Sequence, residues 1–305
     1  MRGNREIIHL PVGHSFRVYR WSHNLREVWT VVGPNEAERI PGQGRRWHYH
    51  TEMEITLFTA GTGTRFVGDH IGPFTAGDLV LLGGNLPHYW QVKGPSAGVG
   101  VQWSFPHGHP FWTLPETLGL AELFKRSAQG LRFTGHSAAV LAPAVRELTY
   151  VYGAERLGLF VRLLAMMRAA PESHCSVLSS AAFSLSGSTN KQREALAEAM
   201  RFVLANFREA IRLEEVLRLT GLSRTTFSLQ FKKHCGRSFI DFVIHTRLQE
   251  ATRQLAETDR SILEIALDCG FTQVSFFNRV FRRVYGCNPT EFRANGARGI
   301  AAQAR

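Results

Sequence analysis

Leu213-Glu-Glu-Val-Leu-Arg-Leu-Thr-Gly221-Leu-Ser223-Arg-Thr-Thr-Phe-Ser-Leu-Gln-Phe231-Lys-Lys-His-Cys-Gly236 is answered 49–50 residues later by Ile262-Leu-Glu-Ile-Ala266-Leu-Asp-Cys-Gly270-Phe-Thr272-Gln-Val-Ser-Phe-Phe-Asn-Arg-Val-Phe281-Arg-Arg-Val-Tyr-Gly286. Each copy is a short apolar-periodic segment, a Gly-apolar-Ser/Thr turn, and a longer segment ending in a basic pair and a glycine. That pattern predicts a helix-turn-helix, whose second helix can enter the major groove of DNA. Two per chain imply one polypeptide reading two successive grooves on one face of a duplex.

Local signals support each helix. Ser261 with Glu264 forms a capping box, and Ser223 and Thr272 stand where the N-caps of the two longer helices belong. Gly236 and Gly286 follow basic pairs, as helix C-termini prefer. Ala266, four residues before Gly270, is small enough to let two helices cross closely. A continuous helix over about 241–256 would join the copies rigidly and hold them about 34 Å apart, one DNA turn.

Composition agrees. The chain has 305 residues, 44% hydrophobic and 20% charged, with net charge +11 and pI near 10.1. That length suits two compact units and a linker, and the charge suits a polyanionic partner. From Asn190 onward 19 Lys/Arg face 12 Asp/Glu, a surplus of seven in roughly the last third. Cys175, Cys235, Cys269 and Cys287 have no C-x-x-C spacing, which argues against a disulfide framework or zinc finger and fits a reducing cytoplasm. No apolar run approaches the ~20 residues of a spanning helix, and the first residues lack a signal-peptide core. A cytoplasmic location without membrane attachment is expected.

Residues 190–294 resemble the DNA-binding domain of the AraC/XylS family of bacterial transcription regulators. The second copy carries most of the likeness: Ile265-Ala266 and Gly270-Phe271, Phe276-Phe277, Arg279-Val-Phe281-Arg-Arg, Asn288-Pro289-Thr290 and Phe292-Arg293. The resemblance implies that exposed side chains early in each second helix face the bases. Here these are Arg224, Thr225, Ser228 and Leu229, then Gln273, Val274, Ser275, Asn278 and Arg279. Arg279 suits a bidentate contact to guanine and Asn278 a contact to adenine. Lys232, Lys233, Arg282 and Arg283 would hold phosphates. Two departures stand out: Leu217 occupies the usual small-residue position, and Ser238-Phe239 replaces Thr/Ser-Pro. The plainer alternative is a pair of amphipathic helices with solvated basic faces, Arg279 pairing with a carboxylate.

The first hundred residues differ in kind. Short apolar runs at Ile55–Phe58, Leu79–Leu82 and Val99–Phe105 are separated by turn signals at Gly61-Thr-Gly63, Gly83-Gly-Asn85 and Gly94-Pro-Ser, which favours a sandwich or barrel. All six tryptophans and eleven of thirteen histidines precede residue 175, hinting at a pocket. Gly42-x5-His48-x-His50-x3-Glu54-x6-Gly61 matches the first cupin motif at each defining position. His88, eleven residues after Gly77, stands where the second cupin motif places its histidine, although Gly83, Asn85 and Val92 replace that motif's Pro, second Gly and Asn. On strands, His48, His50 and Glu54 share one face. Three imidazoles and a carboxylate could hold a divalent metal. Sensor cupins joined to such DNA-binding domains usually bind a small organic effector, commonly a sugar, mostly without metal. His48, His50, Glu54 and His88 would then bond effector hydroxyls or each other, and Trp47, Trp90 or Trp103 would stack on a sugar ring. The dullest alternative is a set of satisfied core histidines. Arg65, Asp69 and His70 form a polar cluster of structural type.

Helical periodicity follows, with stripes at Leu118, Leu120, Leu123, Phe124 and at Leu157, Phe160, Val161, Leu164, Met167. The expected fold is therefore α+β in two domains: an N-terminal cupin β-barrel (1–110) with a helical dimerisation hairpin (111–172), a Ser-rich linker (173–190), and an all-α domain with two helix-turn-helix motifs (191–296). The expected function is an effector-responsive transcription factor, leaning to activation. Its expected partners are double-stranded DNA, a sugar-like effector, a second copy of itself and RNA polymerase. The competing class is a metal-dependent cupin dioxygenase or isomerase with an accessory DNA-binding domain.

Overall fold

Residues 16–103 alternate apolar and polar side chains through several strands, a period that a sheet with two different faces requires. The computed structural model describes residues 6–42, 44, 48–180, 190–235 and 237–296. Seven strands come first: β1 (Phe16–His23), β2 (Glu27–Gly33), β3 (Glu36–Pro41), β4 (Met53–Val67), β5 (His70–Phe74), β6 (Leu79–Leu82) and β7 (His88–Trp103). With β8 (Leu131–Phe133) and β9 (Cys175–Val177) they make one nine-stranded sheet in the order β3-β2-β1-β7-β4-β6-β8-β9, with β5 on β4. The described pairings of β1, β2, β4, β6, β7, β8 and β9 are antiparallel.

Two expected turns lie inside strands. β4 and β7 stay paired from Met53↔Trp103 to Val67↔His88. Between Ala60↔Ala97 and Thr62↔Lys93 the second strand takes four steps where the first takes two. Gly61-Thr-Gly63 and Gly94-Pro-Ser thus mark facing halves of a bulge, which kinks a ladder without ending it.

One sheet face is apolar. After the short α1 (Pro115–Leu118), helices α2 (Ala121–Ser127), α3 (Gly135–Glu147) and α4 (Gly153–Ala169) pack on Phe16 and Val18, Ile55 and Leu57, Val99, Val101 and Trp103 through Leu123, Val145, Phe160 and Leu164, joined by Leu120 at the start of α2. Leu118 and Leu157, expected on the buried stripes, are exposed instead, at the outer edge of their helices. The expected helical hairpin also contains a strand, β8, paired to β6. The start of the expected linker extends the sheet, as β9 pairs with β8. Three-residue strands carry too little alternation to register as sheet. Residues 181–189 of that linker lie outside the described residues.

The C-terminal part is helical: α5 (Asn190–Asn206), α6 (Leu213–Thr220), α7 (Arg224–Cys235), α8 (Phe239–Glu257), α9 (Ile262–Asp268), α10 (Val274–Tyr285) and α11 (Pro289–Gly296). These helices form a compact unit of their own, distinct from the sheet unit. α9 opens with the Ser261/Glu264 capping box. The Thr226 N–H donates to Ser223 Oγ at the start of α7 (3.2 Å). Thr272 does not cap α10; Gln273, extended at φ −134°, ψ 120°, takes that position without a side-chain bond. Gly236 lies outside the described residues. Ser238 caps α8 by accepting from the Asp241 N–H (3.1 Å). Phe239 packs edge-on against Phe227 and Phe231, each at 5.4 Å. The departure from Thr/Ser-Pro thus supplies a cap and a core ring. Among the described residues, no helix is long and apolar enough to cross a membrane.

Candidate nucleic-acid interface and polar chamber

α7 and α10 each bury one stripe and expose the other. On α7, Phe227, Phe231 and Cys235 are buried, while Arg224, Thr225, Ser228, Leu229, Lys232 and Lys233 are exposed. On α10, Phe277, Val280 and Phe281 are buried, and Ser275, Asn278, Arg279, Arg282 and Arg283 are exposed, as is Gln273 just before the helix. Val274 differs: half-buried, it packs on the core of Leu248, Ile265 and Phe277, so its methyls serve packing first. Arg224 is engaged by Glu214 (2.6 Å) in an exposed pair. Such pairs contribute little and exchange readily for a phosphate or base. The Arg279 guanidinium sits 5.3 Å from the Phe276 ring and makes no ion pair among the described residues. Asn278, Arg279 and Arg282 line an open concavity with Asn288 and Thr290.

Between these helices runs α8. Its 19 residues span about 28 Å at 1.5 Å per residue. Leu248, Ala251 and Leu255 on α8 are buried against α9 and α10, which makes the rod part of the core.

The second sheet face lines a chamber. Register places Arg17, Gln102 and Glu54 in one row across β1, β7 and β4. Tyr19, Gly100 and Thr56 form the next row, and Trp21, Gly98 and Phe58 the third. A Cβ at Gly98 would strike the Trp21 indole at 2.2 Å, and one at Gly100 the Tyr19 ring at 2.1 Å. The aromatic rings therefore approach bare backbone more closely than any Cβ would allow. Gln102 donates Nε2–H to Glu54 (2.6 Å) and accepts from Arg17 Nε (2.9 Å), and the Thr56 hydroxyl also donates to Glu54.

His48, His50 and His88 meet at one end. His48 and His88 exchange backbone bonds as an isolated bridge, so His48 is held by pairing, not within a longer strand. The ligating atoms of all three lie within 4.8 Å of one another. His50 donates Nδ1–H to the Glu52 carbonyl (2.9 Å), and His88 donates Nδ1–H to the Leu86 carbonyl (2.7 Å). A carbonyl only accepts, so each Nδ1 carries its proton and Nε2 faces the cluster. His50 Nε2 lies 3.1 Å from Glu54. His88 Nε2 is buried, finds no hydrogen-bond partner among the described residues, and stands 4.0 Å from the same carboxylate. An orphaned, inward-facing imidazole nitrogen beside two more imidazoles and a carboxylate fits a divalent transition metal.

Burial opposes charge here, and partners decide the outcome. Burial pulls His88 down to about 4, leaving it neutral at pH 7. Burial also acts to lower His50, but the hydrogen bond and charge of Glu54 outweigh it and raise His50. Burial would raise Glu54, yet His50, His88 and Thr56 hold it below its ordinary range.

Trp90 lines the chamber, 5.5 Å from His88. Trp103 does not. It lies on the opposite face, with Phe160 (5.0 Å) and Phe124 (6.0 Å), because it is one residue out of phase with Gln102. Trp47 lies outside the described residues. Arg17, Tyr19, Thr56 and Gln102 were missed in the sequence. The polar-apolar alternation of Phe16-Arg17-Val18-Tyr19 was a usable signal, but the row that joins them to Glu54 needs the strand register. Arg65 pairs with buried Asp78, a structural role.

A family model described as a helix-turn-helix domain matches residues 216–295. The HTH-type transcriptional activator RhaS of Salmonella schwarzengrund is 25% identical over 271 residues, 84% of this chain and 90% of that protein. The chain is thus similar to AraC-type transcriptional regulators, with the family model falling on its helix-turn-helix segment. The regulatory protein PocR of Salmonella typhimurium is 38% identical over 96 residues, 32% of each chain. The DNA-binding domain of AdpA, solved with a target DNA, is 31% identical, covers 34% of this chain and 95% of that one, and superposes with a TM-score of 0.33. RhaS and PocR are regulators and not enzymes, and the catalytic alternative is not favoured.

Proposed function

We propose that this chain is an AraC/XylS-type regulator that reads DNA through two helix-turn-helix units, α6–α7 and α9–α10, and activates transcription in response to a small polar effector. The single observation behind it is the pair of exposed basic stripes on α7 and α10, each backed by a phenylalanine core and linked by the α8 rod. Asn278 and Arg279 would read base edges, together with Gln273, Ser275, Arg224, Thr225, Ser228 and Leu229. Lys232, Lys233, Arg282 and Arg283 would hold phosphates. Activation takes support from the likeness to RhaS, a transcriptional activator, a carbohydrate-type effector from the hydrogen-bonding and aromatic side chains of the chamber, and RNA polymerase is the partner that activation needs.

The chamber, in this proposal a cupin-type barrel interior, is the effector site. Glu54, Gln102, Thr56 and Tyr19 offer hydrogen bonds, and Trp21 and Trp90 offer ring faces. His48, His50, His88 and Glu54 would hold a metal, which would supply a Lewis-acidic anchor for an effector oxygen. Helices α1–α4 would form the dimer contact, and the effector would act by favouring one dimer arrangement through its differential affinity. DNase footprinting of the full chain upstream of neighbouring genes is the test. Sequence-specific protection that the Arg279→Ala variant loses is expected; no specific protection at any salt concentration would refute the proposal.

A further inference from the structure

The chamber is plugged from inside the protein. Its free volume is about 30 Å3, enough for one or two waters and far short of a metabolite. Most of its lining belongs to the ladder strands or to the loops beside them, but one wall is Glu6, ahead of β1. Glu6 donates its backbone N–H to the Tyr49 carbonyl (2.9 Å), and its carboxylate is largely buried. One oxygen sits 3.3 Å from His48 Nε2 and the other 3.9 Å from Arg17.

Arg17 explains why an acid belongs there. It is 6% exposed, and its close bonds go to a neutral acceptor, the Gln102 amide oxygen. A buried guanidinium is costly without an anion in bidentate reach, and Glu6 approaches without closing that distance. We infer that Glu6 stands in for the carboxylate of the effector, and that the chamber takes a small hydroxylated carboxylic acid, which displaces Glu6 and pairs with Arg17. Tyr19, Thr56 and Gln102 are placed for its hydroxyl groups. This deepens the proposed effector site and rests on it.

The test titrates the full chain, in buffer with EDTA so that no metal supplies the anion's partner, against matched acids and neutral analogues: glucuronate against glucose, and glycerate against glycerol. Tryptophan emission reports binding, since Trp21 and Trp90 line the chamber. At least one acid is expected to bind roughly tenfold or more tightly than its neutral partner. Glu6→Ala, which removes both the plug and its charge beside Arg17, should tighten both compounds, the acid severalfold more than the neutral one. Arg17→Gln should abolish the preference; if that variant does not fold, the Glu6→Ala comparison decides alone. Equal binding of acid and neutral compound, insensitive to Glu6, overturns the carboxylate assignment and leaves effector sensing standing. Binding of neither compound, by either the native chain or Glu6→Ala, overturns both.

Discussion

Replacing Gly270 by alanine should damage the C-terminal unit far more than the same change at Gly286, although both glycines adopt positive φ in turns that end helices. Gly270 has φ +84° and Gly286 φ +73°, so each alanine carries roughly 1–2 kcal/mol of left-handed strain. The surroundings differ. A Cβ at 286 meets nothing within 4 Å, whereas at 270 it would lie 2.6 Å from the Phe207 carbonyl and 2.7 Å from that of Arg208. The first carbonyl is already held by Arg247 Nε (2.7 Å), so it cannot simply withdraw. Overpacking of this kind adds about 1–3 kcal/mol, which makes Gly270→Ala the worse variant by that margin. Thermal unfolding followed by ellipticity at 222 nm is dominated by the helical unit, and tryptophan emission identifies the transition of the other, because all six tryptophans precede residue 175. At roughly 4 °C per kcal/mol for a domain near one hundred residues, the ellipticity midpoint should fall about 4–12 °C further for Gly270→Ala than for Gly286→Ala. DNA retardation at the growth temperature should weaken in parallel. Equal midpoints for the two variants would refute the close approach of the α9–α10 turn to the Phe207–Arg208 backbone.

Arg279→Ala should lower affinity for the cognate site about 10–100-fold with little effect on non-specific DNA, while Lys232→Ala should weaken both and reduce the salt slope by about one, both read by fluorescence anisotropy. Cobalt(II) titration should give one equivalent of visible-band absorbance in the native chain and none in His50→Ala. Glu250 is buried among Arg208, Arg253 and Gln254; burial acts to raise its carboxyl, but these partners hold it below its ordinary value. Its contribution is present above the unfolded carboxylate range and is lost as pH falls through the folded value. Glu250→Gln should therefore cost about 1–3 kcal/mol at neutral pH and flatten the acid limb of the unfolding profile, measured by ellipticity against pH. Ser261→Ala should cost about 1 kcal/mol in the same melt.

The helical unit was legible because its information is local. Caps at Ser223 and Ser261, the glycine turns and the phenylalanine spacing each act within four residues, and the α8 helix expected over about 241–256 spans 239–257. Thr272 misled because Thr and Gln both suit the stretch before α10, and only the backbone at Gln273 decides between them. The chamber was half legible. His48, His50, Glu54 and His88 announced themselves by spacing, and the structure gathers them. Arg17 and Gln102 face Glu54 only through a register set by strands tens of residues apart, which no local pattern encodes. Trp103 was misplaced by a single residue of phase at the end of β7, where a one-residue step exchanges chamber for core. Residues 131–133 and 175–177 were invisible as strands because each borrows its ladder from a distant partner.

The two aromatic rings resting on Gly98 and Gly100 make the floor of the chamber unusually editable. A methyl group at either position would evict an indole or a phenol and redraw the outline a guest must match. At Gly98 the added methyl would also meet the Leu57 backbone carbonyl at 2.3 Å and push on the ladder, whereas at Gly100 the nearest atoms all belong to the Tyr19 side chain. In the effector site proposed above, a single codon at Gly100 would thus alter which guest fits while the exposed faces of α7 and α10 stay as they are.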